Sequence, residues 1–130
     1  MLRKVAILNP RLLALLAGAG HMDLIVIADA GLPIPSGLEV IDLSLVSGVP
    51  SFLQVLDAVR QVLAVESAVM ARETRGQVIY EEMSSRLKGL SVDDVSHEEF
   101  KGRLSKARGV IRTGETTPYA NVGLVAGVTF

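Results

Sequence analysis

Apolar positions along this chain fall into two kinds of run, and their alternation predicts a layered α/β fold. Leu24–Ala28 is a continuous apolar run, β-branched at its centre, that stops at Asp29. Such a run suits a strand buried on both faces of a parallel sheet. Val40–Leu45 and Ala64–Ala71 are read as further strands. Between them Phe52, Val55, Leu56 and Val59 recur at helical spacing, predicting a helix that opens at Pro50 and runs to about Leu63. Nearer the N-terminus, Asn9-Pro10 reads as a cap and first-turn proline. The helix it opens covers Pro10–Ala19, with a broad face of Leu12, Leu13, Leu15 and Leu16.

Downstream, a polar helix is expected from about Glu73 to Leu87 and a short strand over Leu90–Val95. Ser96-His97-Glu98-Glu99 has the form of a capping box, in which Ser96 accepts from the amide of Glu99 and Glu99 reaches back. The helix it starts runs to about Lys106, and Val110–Arg112 and Val122–Val128 supply the last strands. No repeat, linker or low-complexity segment divides the chain, so residues 1–130 read as one domain. The expectation is a Rossmann-like layered domain with a mostly parallel sheet flanked by helices.

The final stretch is unusual for a terminus. Thr113, Glu115, Thr116, Thr117, Tyr119 and Asn121 form a polar block between apolar runs, with Gly114 and Pro118 as turn formers, and the chain stays apolar to Phe130. That pattern predicts a packed tail pinning a polar loop. Ligands in α/β sheets collect at the carboxyl ends of strands, where Asp29 and the block after Arg112 both fall.

Composition narrows the chemistry. A net charge of -1, two Tyr, three Phe and no Trp offer neither a basic footprint nor stacking platforms for nucleic acid. Zero cysteines exclude disulfides, thiol nucleophiles and thiolate metal sites, and fit a cytoplasmic location. Hydrophobic residues make up 49% of the chain. With Gly counted in and Tyr left out the share is about 57%, above the usual ~45–50%. A small domain has too much surface to hide that excess alone. Thr116–Phe130, the longest uncharged run, is too short and too interrupted for a spanning helix, so other subunits are the expected cover. Arg3 and Lys4 ahead of Leu12–Ala19 imitate a secretory signal, but Pro10 and Arg11 interrupt it.

Standard motifs are missing. Gly18-Ala19-Gly20 follows a helix and lacks the third glycine of a dinucleotide fingerprint, and no P-loop or Gly-x-Ser-x-Gly elbow occurs. His97 has no second His at helical spacing, so no metal site is expected. The remaining polar residues each have an ordinary reading. His21 can sit at a helix end against the last carbonyls, Asp29 can form a turn, and His97 and Lys101 can be solvated on a helix. Tyr119 and Asn121 share a strand face if extended, or are a half-buried Tyr and a turn Asn. Glu115 and Arg112 can pair. Taken together, these groups suit a polyol, whose hydroxyls want donors and acceptors without one dominant charge.

One resemblance sharpens this. Gly20-His21-Met22-Asp23, Ile27-Ala28-Asp29-Ala30-Gly31-Leu32-Pro33, Ile41-Asp42-Leu43-Ser44-Leu45, Ser96-His97-Glu98-Glu99-Phe100-Lys101, Arg112-Thr113-Gly114-Glu115 and Thr117-Pro118-Tyr119-Ala120-Asn121 occur in this order. In these runs the chain resembles the ribose pyranase and fucose mutarotase family, and the runs after Asp29 and around Tyr119 look like its ribose branch. The match is least distinct over Ala64–Leu90. The resemblance implies an isomerase that interconverts pyranose and furanose forms, and anomers, of free D-ribose, without a cofactor. It implies that His21 is the proton donor and that Asp29, His97, Lys101, Tyr119, Ala120 and Asn121 bind the sugar. It also implies a decamer of two stacked pentameric rings with sites at subunit boundaries. A fucose mutarotase, or a non-catalytic sugar-binding accessory of a transport system, is the alternative.

Overall fold

The computed structural model describes residues 1–4 and 7–130. Among them, six strands form one sheet: β1 (Leu24–Ala28), β2 (Val40–Asp42), β3 (Val65–Ala71), β4 (Ser91–Val95), β5 (Gly109–Arg112) and β6 (Val122–Ala126). The strand order is β2-β5-β1-β6-β3-β4. Parallel pairing joins β2 to β5, β5 to β1 and β3 to β4, while β6 runs antiparallel to both of its neighbours, β1 and β3. The sheet is therefore mixed, with β6 alone reversed. Four helices flank it: α1 (Pro10–Ala17), α2 (Phe52–Val62), α3 (Tyr80–Arg86) and α4 (His97–Arg103). None of the helices is long and apolar enough to cross a membrane among the described residues.

Side-chain alternation along β1 explains why its run is uninterrupted. Ile25 and Ile27 enter a core with α1, α2 and α3, whereas Val26 and Ala28 enter a second core with α4 on the other side. All four are at most 1% exposed. Burial of such aliphatic side chains contributes roughly 1.5–3 kcal/mol each for the larger ones, so β1 anchors the sheet.

Helix starts follow their capping chemistry. The Asn9 side chain accepts from the Leu12 amide at 2.9 Å. Ser51 and Gln54 form a full capping box at α2, so the helix begins after Pro50 and not at it. At α4 only half of the expected box is present. Ser96 Oγ accepts from the Glu99 amide at 3.1 Å, but the Glu99 carboxylate turns to Arg103 at 3.2 Å. The polar helix expected over 73–87 is broken into a 3₁₀ turn at Arg72–Gly76 and α3 at Tyr80–Arg86. Gly76 ends the first piece, where helical propensity is lowest.

The polar tail is tied down by close backbone approach. The Gly114 amide donates to Pro50 O at 2.8 Å, and its carbonyl accepts from the Gly48 amide at 2.6 Å. A Cβ on Gly114 would lie 2.4 Å from the Val49 carbonyl oxygen. Gly114→Ala is expected to destabilise the protein by roughly 1–3 kcal/mol through overpacking, read as a lowered urea midpoint with an unchanged m-value.

Candidate functional site

Three chain segments meet at the carboxyl ends of the parallel strands and enclose a cleft of about 580 Å³. Asp29 follows β1, His97 follows β4, and Glu115, Thr117 and Tyr119 come from the loop between β5 and β6. Because β6 is reversed, its first residues lie at this same end.

Asp29 is hydrogen-bonded there through both its backbone and its carboxylate. Its amide donates to Asn121 Oδ1 at 2.8 Å, and Asn121 Nδ2 donates back to Asp29 Oδ2 at 2.9 Å. The Gly31 amide donates to the other carboxylate oxygen, Oδ1, at 2.8 Å. Each carboxylate oxygen keeps acceptor capacity for a ligand hydroxyl. Asn121 is fully buried, so it serves the cleft through Asp29.

Tyr119 and Asn121 do not share a strand face, because the segment turns before β6 begins. Tyr119 has φ 62°, and the Asn121 amide donates to Tyr119 O at 2.9 Å. Tyr119 therefore lines the cleft while Asn121 lies beneath it. Ala120 is also fully buried and packs into the larger core. A positive φ at a bulky residue is uncommon and needs surrounding support. The buried Thr74 hydroxyl supplies part of it, donating to Tyr119 O at 2.8 Å.

His97 opens α4, and its ring meets Tyr119 edge-on, with centroids 5.0 Å apart and planes at 81°. Its amide donates to the Glu73 carboxylate at 3.0 Å, while His97 Nδ1 is buried without a hydrogen-bond partner among the described residues. Glu73 and Thr74 thus hold two cleft residues from the Arg72–Gly76 turn. No local motif in the sequence marks that stretch. Lys101 lies one turn along α4, where its ammonium pairs with Glu98 at 2.7 Å and does not line the cleft.

Glu115 does not pair with Arg112. Arg112 instead donates to Ala30 O at 2.8 Å and reaches Asp42 at 3.8 Å. Glu115 accepts from the Phe52 amide at 3.0 Å and the Thr117 hydroxyl at 2.9 Å. Burial opposes its ionisation, but the Phe52 amide and the Thr117 hydroxyl and amide outweigh that and hold its carboxyl below the ordinary value. The α2 N-terminus beside it favours the same charge.

His21 stands apart from these groups. It precedes β1, whereas Asp29 follows it, so a strand of five residues separates them. At ~3.3 Å per residue that is more than ~13 Å. Around His21 lie Met22, whose φ is 74°, and Glu66, whose Oε2 is 3.1 Å from His21 Nε2. Among the described residues no group of three or more His, Asp or Glu could hold a metal ion.

A model of the RbsD / FucU transport protein family matches residues 2–129. A D-ribose pyranase from Geobacillus kaustophilus is 52% identical over 131 aligned residues, which span 99% of this chain and 96% of the relative. One from Bacillus cytotoxicus is 48% identical, spanning 99% and 100%. Among solved structures, Bacillus subtilis RbsD complexed with D-ribose matches with a TM-score of 0.89 at 44% identity, over 99% of this chain and 100% of that one. The fucose mutarotase of Streptococcus pneumoniae in complex with L-fucose matches with a TM-score of 0.77 at 28% identity, over 94% of each.

The Glu115 carboxyl gives the cleft an acid-sensitive brace. Its value in the folded protein lies below the ordinary 4.5, so the stability it contributes is present above about pH 4.5 and is lost as pH falls through the folded value. Glu115→Gln is expected to be less stable than the parent at pH 7 and to lose less stability on acidification. Urea titrations at pH 7, 4.5 and 3 compare the two slopes.

Proposed function

The chain belongs to the RbsD / FucU transport protein family, and from that premise we propose that it is an isomerase converting free D-ribose between pyranose and furanose forms and between anomers. One observation carries this reading: the braced Asp29 carboxylate faces a cleft walled by His97 and Tyr119, in a chain that superposes along its length on a ribose-bound relative. Ribose is favoured over fucose by identity, about 50% to D-ribose pyranases against 28% to a fucose mutarotase.

Ring opening needs a proton delivered to the ring oxygen and one removed from the anomeric hydroxyl. In this proposal His21 delivers the first. Asp29 accepts from sugar hydroxyls, Asn121 holds Asp29, and His97 and Tyr119 complete the wall, with Ala120 packed behind it. Lys101 joins if a sugar hydroxyl draws its ammonium from Glu98. A positioned imidazole acting as general acid contributes typically ~10²–10⁴-fold, sufficient for a reaction that already proceeds in water.

His21 and Asp29 lie at opposite ends of β1, so the acid reaches the cleft from a neighbouring subunit. Exposed apolar residues support such contacts. Met22 beside His21 is 65% exposed, and Leu45 and Val46 near the cleft rim are 77% and 61% exposed. The assembly we assign is a cytoplasmic decamer of two pentameric rings, with each site shared across a boundary.

Magnetisation-transfer NMR on D-ribose, with L-fucose as control, is expected to reveal pyranose–furanose exchange at protein-accelerated rates. Sugar binding without exchange would overturn the reading. His21→Ala should abolish acceleration and keep part of the ribose affinity.

Shared sites also predict complementation. His21→Ala and Asp29→Asn are each inactive alone, but co-expressed they form mixed rings. About a quarter of the boundaries then carry both native residues, by random mixing across a repeated interface. Recovery of roughly that share of activity is expected, and none if each chain forms its own site.

A further inference from the structure

We infer that Glu66 is a positioning residue for His21, fixing which imidazole nitrogen meets the sugar; this rests on the role proposed above for His21. The Glu66 carboxylate lies 3.1 Å from His21 Nε2. An ion pair this exposed, with side chains 54% and 39% accessible, contributes little to folding. Stability therefore does not account for it, yet the backbone is built around it at three places.

The first is a bulge in β3. Val65 pairs with Ala126 and Ser67 with Val125, which leaves Glu66 as the extra residue. A bulge re-aims a side chain out of the ladder, and here it aims Glu66 at His21. The second is Gly127. A Cβ there would lie 3.2 Å from Glu66 Cβ and 3.5 Å from Glu66 Oε2, so the missing side chain leaves room for the carboxylate. The third is Met22, whose φ of 74° turns the chain sharply after His21. That turn is pinned to the end of β6, because the Met22 amide donates to Ala126 O at 2.9 Å and the Ala126 amide to Asp23 O at 2.8 Å.

Imidazole bonded to a carboxylate at one nitrogen is held in one tautomer and one orientation. With Nε2–H donating to Glu66, Nδ1 is the nitrogen that works on the sugar. The imidazolium gives its Nδ1 proton to the ring oxygen as the bond from that oxygen to the anomeric carbon breaks. The anomeric hydroxyl gives its proton to solvent, which leaves the open-chain aldehyde and a neutral imidazole. On reclosure a different hydroxyl adds to the aldehyde carbon and passes its proton to Nδ1, while the carbonyl oxygen takes one from solvent. Nε2–H stays on Glu66 throughout.

Glu66→Ala and Glu66→Gln test this in two readouts on the full-length assembly. In ligand-free, ¹⁵N-labelled protein at alkaline pH, the His21 ring nitrogens of the parent are expected to report the Nε2–H tautomer. Glu66→Ala should give a tautomer mixture. Glu66→Gln should retain the parent pattern, because its amide oxygen still accepts from Nε2–H. In magnetisation transfer with D-ribose, Glu66→Ala should lower kcat on the order of 10–100-fold, part of the general-acid contribution, with KM within about threefold. Glu66→Gln should recover part of that loss. Parent-like tautomer and a kcat within about twofold in Glu66→Ala would overturn the assignment. Absence of ribose exchange in the parent protein would instead count against the proposed reaction, and the tautomer comparison still decides whether Glu66 positions the ring.

Discussion

A buried primary amide with both ends occupied is the constraint on which the cleft depends. Asn121 has no access to water, so its carbonyl and amino groups must find partners inside the protein. Both find Asp29, one through its backbone and one through its carboxylate. That reciprocal pair ties the end of β1 to the start of β6 and fixes a carboxylate at the floor of the cleft. It also explains why the chain turns at Tyr119 instead of entering β6 directly. Only with that turn can Tyr119 stand at the surface while Asn121 passes underneath.

The rest of the cleft is assembled around this pair by contacts between elements distant in sequence. Glu115 brings the N-terminus of α2 against the loop, and Thr74 and Glu73 hold Tyr119 and the start of α4 from the turn that follows β3. Each contact joins residues distant in sequence, 63 positions apart in one case and 45 in another. The cleft is a junction of loops whose positions are set by the strands they leave.

Such a junction is only half legible in a sequence. The strands were readable because their apolar runs reflect burial on two faces, and β1 occupies the residues its pattern indicates. The cap at Asn9 was likewise a local signal. Residues carried by the family resemblance, Asp29, His97 and Tyr119, do line one cleft. What could not be read was non-local. The turn at Tyr119, the competition of Arg103 for Glu99, and the service of Glu66, Glu73 and Thr74 all depend on neighbours brought in by folding. The apolar run of β6 gave no sign that it would run backwards, since it is buried on both faces like β1, against which it runs antiparallel.

That reversal has a consequence for how the molecule can vary. β6 runs from Val122, next to Asn121 beneath the cleft, to Ala126, next to Gly127 beside His21 and Glu66. One strand is thus a ruler between the two poles of the subunit. Inserting or deleting a single residue in it would shift one pole against the other and reverse the facing of every side chain beyond the change. The length of this strand is held at both ends.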